Sequence, residues 1–456
     1  MVRVCNQLFS LCFRIWLVEH VLTLWKRSGA NWFSRIIQEI AYPKKARLIC
    51  GHRSLNFDTL EYFIMENAKF DRRSQTFIRI TRVAGTLAMQ RAETQLAELV
   101  GMFKRDETNL KTLIWLNSDR ESTDPRDQIY ALLELACCPK SITVDYSNSK
   151  SVRDVYTEAT KAMIKDVNNN WRQPPKPSLN IICSAFGTSR QSKYNLPSWV
   201  PDFSAKQQLA ASFVQVVTDP RSGEEGIIGY NAMGDRGITT HFSIGNDDVL
   251  TLSGVFIGRL NKVNLPPKKP RGRHWDFKPW ELDNLDSSTY RATGETGIDA
   301  FWRTVLFDAN PRARTRIKPS EAEGLRDEFL IWSGRKKRRD WVDLEGRHES
   351  YSQIFDDGRP AYAINFTFGT CDSGAWGMVP RVSTVGDFVC VARGLSVPVV
   401  LRAAKFEPGP AGGPGASRFT FTMMLVGPCY VHGAMDGEIA ADVKAGKRIE
   451  MQIRIC

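Results

Sequence analysis

Catalytic signatures are scarce in this sequence. It has six histidines in 456 residues, and none stands near a nucleophilic serine or cysteine motif, so hydrolase chemistry has no anchor. The G-x-S-x-G elbow, the phosphate-cradling G-x-x-x-x-G-K-[ST] loop and the zinc-binding H-E-x-x-H are absent, and no cofactor is expected. No apolar run reaches the roughly 18 uninterrupted residues that a membrane helix needs. The most apolar stretch, at the N-terminus, is interrupted by Arg14, Glu19 and His20, and no small-residue cleavage site follows cleanly. Leu8, Leu11, Ile15, Val18, Leu22 and Trp25 fall instead at helical spacing, as one face of a core helix. The ten cysteines lack the close, even spacing of a disulfide framework, which points to reduced thiols and an intracellular setting. No internal repeat is found.

What is present suits a folded chain of two or three units, with hydrophobic residues at 42% and charged residues at 25%. A net charge of +12 spread over many positions gives only weak attraction to nucleic acid or acidic membranes. The densest basic cluster is Arg335-Lys336-Lys337-Arg338-Arg339, and Lys268-Lys269-Pro270-Arg271-Gly272-Arg273 is a second. Such a run can serve nuclear import or phosphate contact, or be a solvated turn.

The texture predicts an α+β protein, a helical and mixed N-terminal region followed by a β-rich C-terminal region. Apolar helical faces run over 8–26, 57–66 and 76–104, with a short strand at Ala46–Gly51. Asp124 can cap a helix whose first turn holds Pro125 and whose positive dipole end faces Asp127, with Ile129, Tyr130, Leu132 and Leu133 as its buried stripe. Ile142–Tyr146 reads as a strand. Ser151 and Asp154 form a capping box opening a helix with face Val152, Val155, Tyr156, Ala159 and Met163. Two prolines keep Leu196–Phe203 out of a helix, with Trp199 packing from an extended segment. Strand-like alternation at Val249–Val255 precedes a basic linker at 264–274, then helical sequence carrying Phe301–Leu306. Strands are expected at Phe388–Ala392, Pro398–Arg402 and Phe419–Val426, with a loop of four glycines and three prolines at 408–415.

Several blocks in order resemble the fungal heterokaryon-incompatibility (HET) family. Asn31-Trp32-Phe33-Ser34-Arg35-Ile36-Ile37-Gln38-Glu39-Ile40 is similar to its W-F-x-R-x-W-x-x-Q-E element, with Ile37 in place of a second Trp, and Cys50-Gly51 matches the C-G turn that follows. Asp124-Pro125-Arg126-Asp127-Gln128-Ile129-Tyr130-Ala131-Leu132-Leu133 matches D-P-R-D-x-x-Y-A-L-L. Val144–Ser147, Leu196–Asp202, Phe301–Thr304, Gly386-Asp387 and Gly427–Glu438 then recur in the family's order. Glu134 stands where the family often has Gly. The resemblance also implies a chain that starts downstream of the family's S-Y-x-W-G and C-I-x-Q elements. It gives segments of 1–45 (tail of an incomplete HET domain), 46–204 (helical, with the D-P-R-D and L-P-S-W motifs), 205–275 (strands and basic linker), 276–355 (helical insert) and 356–456 (β-rich).

Proteins of that family are similar to triggers of programmed cell death in non-self recognition, and their domain is related in plan to TIR domains, some of which cleave NAD. The resemblance therefore implies a cytoplasmic or nuclear regulatory or interaction portion without its own catalysis, with protein partners in incompatibility signalling. Two alternatives stay open: an NAD-consuming TIR-related hydrolase, and a nucleic-acid-associated protein using Arg335 to Arg339. Asp124, Arg126, Asp127, Tyr130, Trp199 and Asp202 are the candidate ligand or architectural residues. Arg126 could clamp an acidic ligand or hold the helix through an internal ion pair. Cys429 and His432 have metal-like spacing, with Cys50 and His52 as further candidates, yet positions three apart on a strand point to opposite faces. Asp436-Gly437-Glu438 reads as a polar turn or an acid/base pair, and Trp376 as a core or stacking aromatic.

Overall fold

A computed structural model describes residues 47–50, 53–56, 110–116, 122–133, 136, 142–165, 177–186, 192–205, 217–218, 225–226, 229–235, 241–264, 280, 285–310, 316–333, 335–336, 365–408 and 419–456. Helices and a mixed sheet are both present, with strands concentrated in the C-terminal half, the α+β class expected. The expected helices at 8–26, 57–66 and 76–104, the W-F-S-R block, His52, the basic stretch 268–273, Lys337–Arg339 and residues 409–415 lie outside the described residues. Among the described residues no helix is long and apolar enough to cross a membrane. The chain divides into two compact units. One comprises Met1–Met163, Asn168–Pro174 and Phe203–Lys206, and the other Ile164–Val167, Pro175–Asp202 and Gln207–Cys456.

In the first unit, β1 (Arg47–Cys50) pairs antiparallel with β2 (Arg53–Asn56). Among the described residues the helices that follow are α1 (Leu110–Leu116), α2 (Asp127–Leu133) and α3 (Val152–Lys165). The α3 entry is a reciprocal capping box, with Ser151 N donating to Asp154 Oδ2 at 2.9 Å and Asp154 N to Ser151 Oγ at 3.2 Å. Its buried face carries Val155, Tyr156, Ala159 and Met163, and the Tyr156 ring meets Phe203 edge-on at 5.1 Å. The strand expected at Ile142–Tyr146 is not formed. Its backbone acceptors are used by side chains instead: Asp145 O accepts from Tyr130 Oη at 3.1 Å and from Arg126.

The second unit holds short β3 (Val217–Thr218) and β4 (Glu225–Gly226), then β5 (Phe242–Ile244) and the long β6 (Leu250–Val263). Helices α4 (Gly297–Val305) and α5 (Pro319–Trp332) precede β7 (Phe366–Cys371), β8 (Trp376–Pro380), β9 (Phe388–Ala392), β10 (Val399–Pro408), β11 (Phe419–Pro428) and β12 (Tyr430–Val431). Helix α6 (Glu438–Lys444) and β13 (Met451–Ile455) complete it. Strand β6 pairs with β13, β13 with β11, β11 with β10, β10 with β9, and β9 again with β6, so these strands close into a ring. Closure removes the exposed edges that an open sheet would present.

After a register shift between Phe256 and Gly258, β6 stays paired with β9 through Arg259 and from Leu260 pairs with β7, which continues into β8 and β12. Such an irregularity bends a strand, and here lets one strand serve both sheets. Val255, Ile257, Val389, Val391, Val400, Val426 and Val431 belong to the shared core. At Gly254 a Cβ would sit 2.9 Å from Val391 O and 3.0 Å from Ile453 Cδ1, so the close approach of neighbouring strands requires glycine.

Candidate functional site

The D-P-R-D residues gather at the start of α2. Asp124 Oδ1 accepts from Arg126 N at 2.9 Å, which satisfies one of the amides that a helix start leaves free. The same carboxylate receives Arg126 Nε at 3.1 Å and Nη2 at 2.9 Å. Arg126 Nη1 reaches across to the following loop and donates to Ser147 O at 3.1 Å and Lys150 O at 3.0 Å. The Arg126 guanidinium holds the Asp124 carboxyl below its ordinary range. Asp127 accepts from Tyr146 Oη at 2.5 Å. Burial, and then the Asp127 carboxylate, push the Tyr146 phenol up. Arg126 also lies 5.3 Å from the centroid of the Tyr146 ring, and Tyr156 Oη donates to Pro125 O at 2.8 Å.

An open cavity of about 570 Å³ lies beside this node, lined by Thr123, Asp124, Arg126, Asn148, Lys150 and Ser151 among others. Its two cations are both paired, Arg126 with Asp124 and Lys150 with Glu158. An anion entering it would compete with the chain's own carboxylates and carbonyls. The arrangement as it stands fixes the 145–150 loop to the start of α2.

Trp199, Asp202, the basic cluster, Cys429 and His432 lie in the second unit. Trp199 is fully buried, and its Nε1–H donates to Asp248 O at 2.9 Å in the turn between β5 and β6. The segment is a turn rather than extended, because Val200 N donates back to Pro197 O at 2.9 Å. Ser198 ties it to the sheet, since its Oγ accepts from Leu425 N at 2.9 Å and its N–H donates to Cys456 O at 2.9 Å. Asp202 is buried. Of the basic cluster, Arg335 pairs with Asp286 at 3.2 Å and Lys336 with Asp327 at 2.9 Å.

Cys429 is fully buried, and burial pushes its thiol well up. Both His432 ring nitrogens are engaged, Nδ1 with Tyr430 Oη at 2.9 Å and Nε2 with Glu295 Oε2 at 2.6 Å. Among the described residues no cluster of three or more His, Cys, Asp or Glu is placed to hold a metal ion. Asp436 is bound by Arg316 through two contacts of 2.8 Å, and Glu438 accepts from Asp436 N at 2.7 Å, so the D-G-E triplet is a polar turn leading into α6. Trp376 packs on Tyr290 with centroids 4.5 Å apart.

Sequence reasoning missed the chain of charges to which His432 belongs. Glu295 binds Arg303 at 3.2 Å, Arg303 binds Asp308 at 2.7 Å, Asp308 binds Arg316 at 2.9 Å, and Arg316 reaches Asp436. Its hydrogen bond from His432 holds the Glu295 carboxyl below its ordinary range. The turn in the middle is unusual. Helix α4 ends with Phe307 N donating to Thr304 O at 3.0 Å and Asp308 N to Arg303 O at 2.7 Å. That is the paired closure in which a left-handed glycine normally follows the C-cap. Here Phe307 and Asp308 occupy it at φ 58° and 47°, each at a cost of about 1–3 kcal/mol. A T-x-x-D pattern, Thr296 to Asp299, marks where α4 begins, with Asp299 N donating to Thr296 Oγ1 at 3.3 Å. Nothing local marks the partners that lie beyond the helix.

Comparison with known proteins adds one relation. No family model matches the chain, and no solved structure matches it. The heterokaryon incompatibility protein 6, OR allele, of Neurospora crassa is 24% identical over 364 residues, covering 70% of this chain and 49% of that protein. The chain thus spans about half the length of the curated relative it matches. This distant likeness supports a family related to the fungal heterokaryon-incompatibility proteins.

Proposed function

We propose that this chain is a regulatory or interaction portion of a fungal non-self recognition protein, acting through protein partners in the cell-death response of heterokaryon incompatibility and lacking a catalytic centre of its own. The observation that carries the reading is the sequence likeness to the Neurospora crassa incompatibility protein across 70% of this chain. The internal use of Arg126 agrees with it. Its guanidinium serves Asp124 and two loop carbonyls, so the D-P-R-D residues hold architecture before any ligand arrives. Free thiols at Cys183, Cys371, Cys390, Cys429 and Cys456, among the described residues, suit an intracellular, cytoplasmic setting.

The test is genetic with a biochemical control. Strains of the source fungus differing only in this gene are fused, and survival of the heterokaryons is scored. Death or growth arrest confined to unlike pairs is expected; equal survival of all pairings overturns the reading. Purified chain incubated with NAD is expected to leave it intact, and consumption above a blank overturns the non-catalytic part.

A further inference from the structure

The end of α4 combines three features that nothing in the proposed function uses. Phe307 and Asp308 are consecutive non-glycine residues in the left-handed region. Among the described residues Arg316 Nε is buried without a hydrogen-bond partner, although its terminal nitrogens are committed to Asp308 and Asp436. Among the contacts that hold the bend shut are Arg303 and Arg316 on Asp308, the Tyr230 hydroxyl on Phe307 O, and the Phe307 ring packed 5.4 Å from Phe366 and 5.8 Å from Tyr430.

Strained backbone and an orphaned buried donor both raise the free energy of the closed state, and both are relieved when the segment opens. Opposing them are the ion pairs on Asp308, the Tyr230 hydrogen bond and the buried Phe307 ring, whose named partners all lie outside the strand ring. A site so balanced opens at lower cost than the sheet around it.

We infer that the Phe307–Asp308 bend is a charge-locked latch, which opens locally with Arg316 and releases the Asp436 turn while the ring of β6, β13, β11, β10 and β9 stays folded. It goes beyond the incompatibility reading and does not depend on it. The latch supplies a two-state element within the second unit, with Asp308 as its bolt and the two arginines as its keepers.

Amide hydrogen exchange of the full chain, read by mass spectrometry, tests this. The amides of Leu306, Phe307, Asp308 and Ile317 are all hydrogen-bonded and belong to buried residues, so a static site would protect them as well as the sheet. The latch predicts protection at least roughly tenfold below that of β6 and β9 in the unaltered chain. Arg316→Met is expected to lower it by about a further tenfold with β6 and β9 unchanged, the scale of losing charged hydrogen bonds. Arg448→Met, which removes a pair with Asp442 away from the bend, is expected to leave it alone. Equal protection of the bend and the ring in the unaltered chain overturns the proposal whether or not the variants fold. So does an Arg316→Met effect that is absent or spread evenly over the ring.

Discussion

Replacing Trp199 by alanine removes a fully buried ring and the donor that its Nε1 supplies to Asp248 O at 2.9 Å. Deleting a buried tryptophan costs about 3–5 kcal/mol in transfer and cavity terms. The lost hydrogen bond adds about 1 kcal/mol, giving roughly 4–6 kcal/mol in all. The carbonyl concerned belongs to Asp248, itself left-handed at φ 59°. It sits in a turn closed by Asp248 N to Gly245 O at 3.1 Å and Gly245 N to Val249 O at 3.0 Å. Trp199 therefore steadies the hairpin that delivers β6 to the ring. Urea unfolding followed by far-UV circular dichroism reads the loss as a lower midpoint at unchanged slope. Trp199→Phe, which keeps an aromatic ring and loses the donor, should cost well under half as much. A loss below about 1 kcal/mol for the alanine variant would refute this account, since a buried ring so placed cannot be deleted cheaply. Trp199 would then regain its candidacy as a ligand-stacking residue.

Gly427 is expected to resist substitution, because it lies at φ 153° and a Cβ there would stand 2.4 Å from Phe186 Cδ2. Gly427→Ala should cost about 1–3 kcal/mol, with Phe186→Leu recovering part of it in a double-mutant cycle. Glu295 supplies a pH signature. Its folded pKa is depressed, chiefly by His432, so its contribution is present above the unfolded value and is lost as pH falls through the folded one. The melting-temperature gap between the parent chain and Glu295→Gln should be full at neutral pH and close as the medium is acidified through and below the ordinary carboxylate range. A gap that widens on acidification rejects the assignment. For the thiols, alkylation of the native chain with peptide mapping should label Cys456 ahead of Cys183, Cys371, Cys390 and Cys429, which are buried. Rapid labelling of Cys429 contradicts its placement.

Local rules carried much of the fold. The Ser151 and Asp154 box, three of the four stripe residues of α2 (Ile129, Tyr130 and Leu132, with Leu133 only half-buried) and the strand at Phe388–Ala392 are set by neighbours in sequence, and each stands where periodicity and capping place it. Ile142–Tyr146 shows the opposite case: strand-forming residues make no strand when Tyr130 and Arg126 occupy a backbone acceptor that a partner strand would use. Of the candidate residues, Asp124 and Arg126 interact across two positions, within reach of local reading. The His432 to Glu295 contact spans 137 positions, and no local pattern encodes it. The end of α4 was hidden for a different reason. A glycine there would have announced the turn, whereas Phe307 takes the position under constraint from Arg303, Arg316 and Tyr230.

The ring also sets an order of events during synthesis. Strand β13 stands between β6 and β11, joined antiparallel to Leu250–Gly254 and parallel to Thr422 and Met423. A chain emerging from the ribosome can form the β9 to β10 and β10 to β11 hairpins as soon as their residues are free. Its ring nevertheless stays open until Met451–Ile455 emerge and insert between strands made much earlier. Until then β6 presents an unpaired apolar edge, and contacts so distant in sequence form slowly. Newly made chains of this protein therefore face their greatest exposure to chaperones and proteases just before β13 arrives.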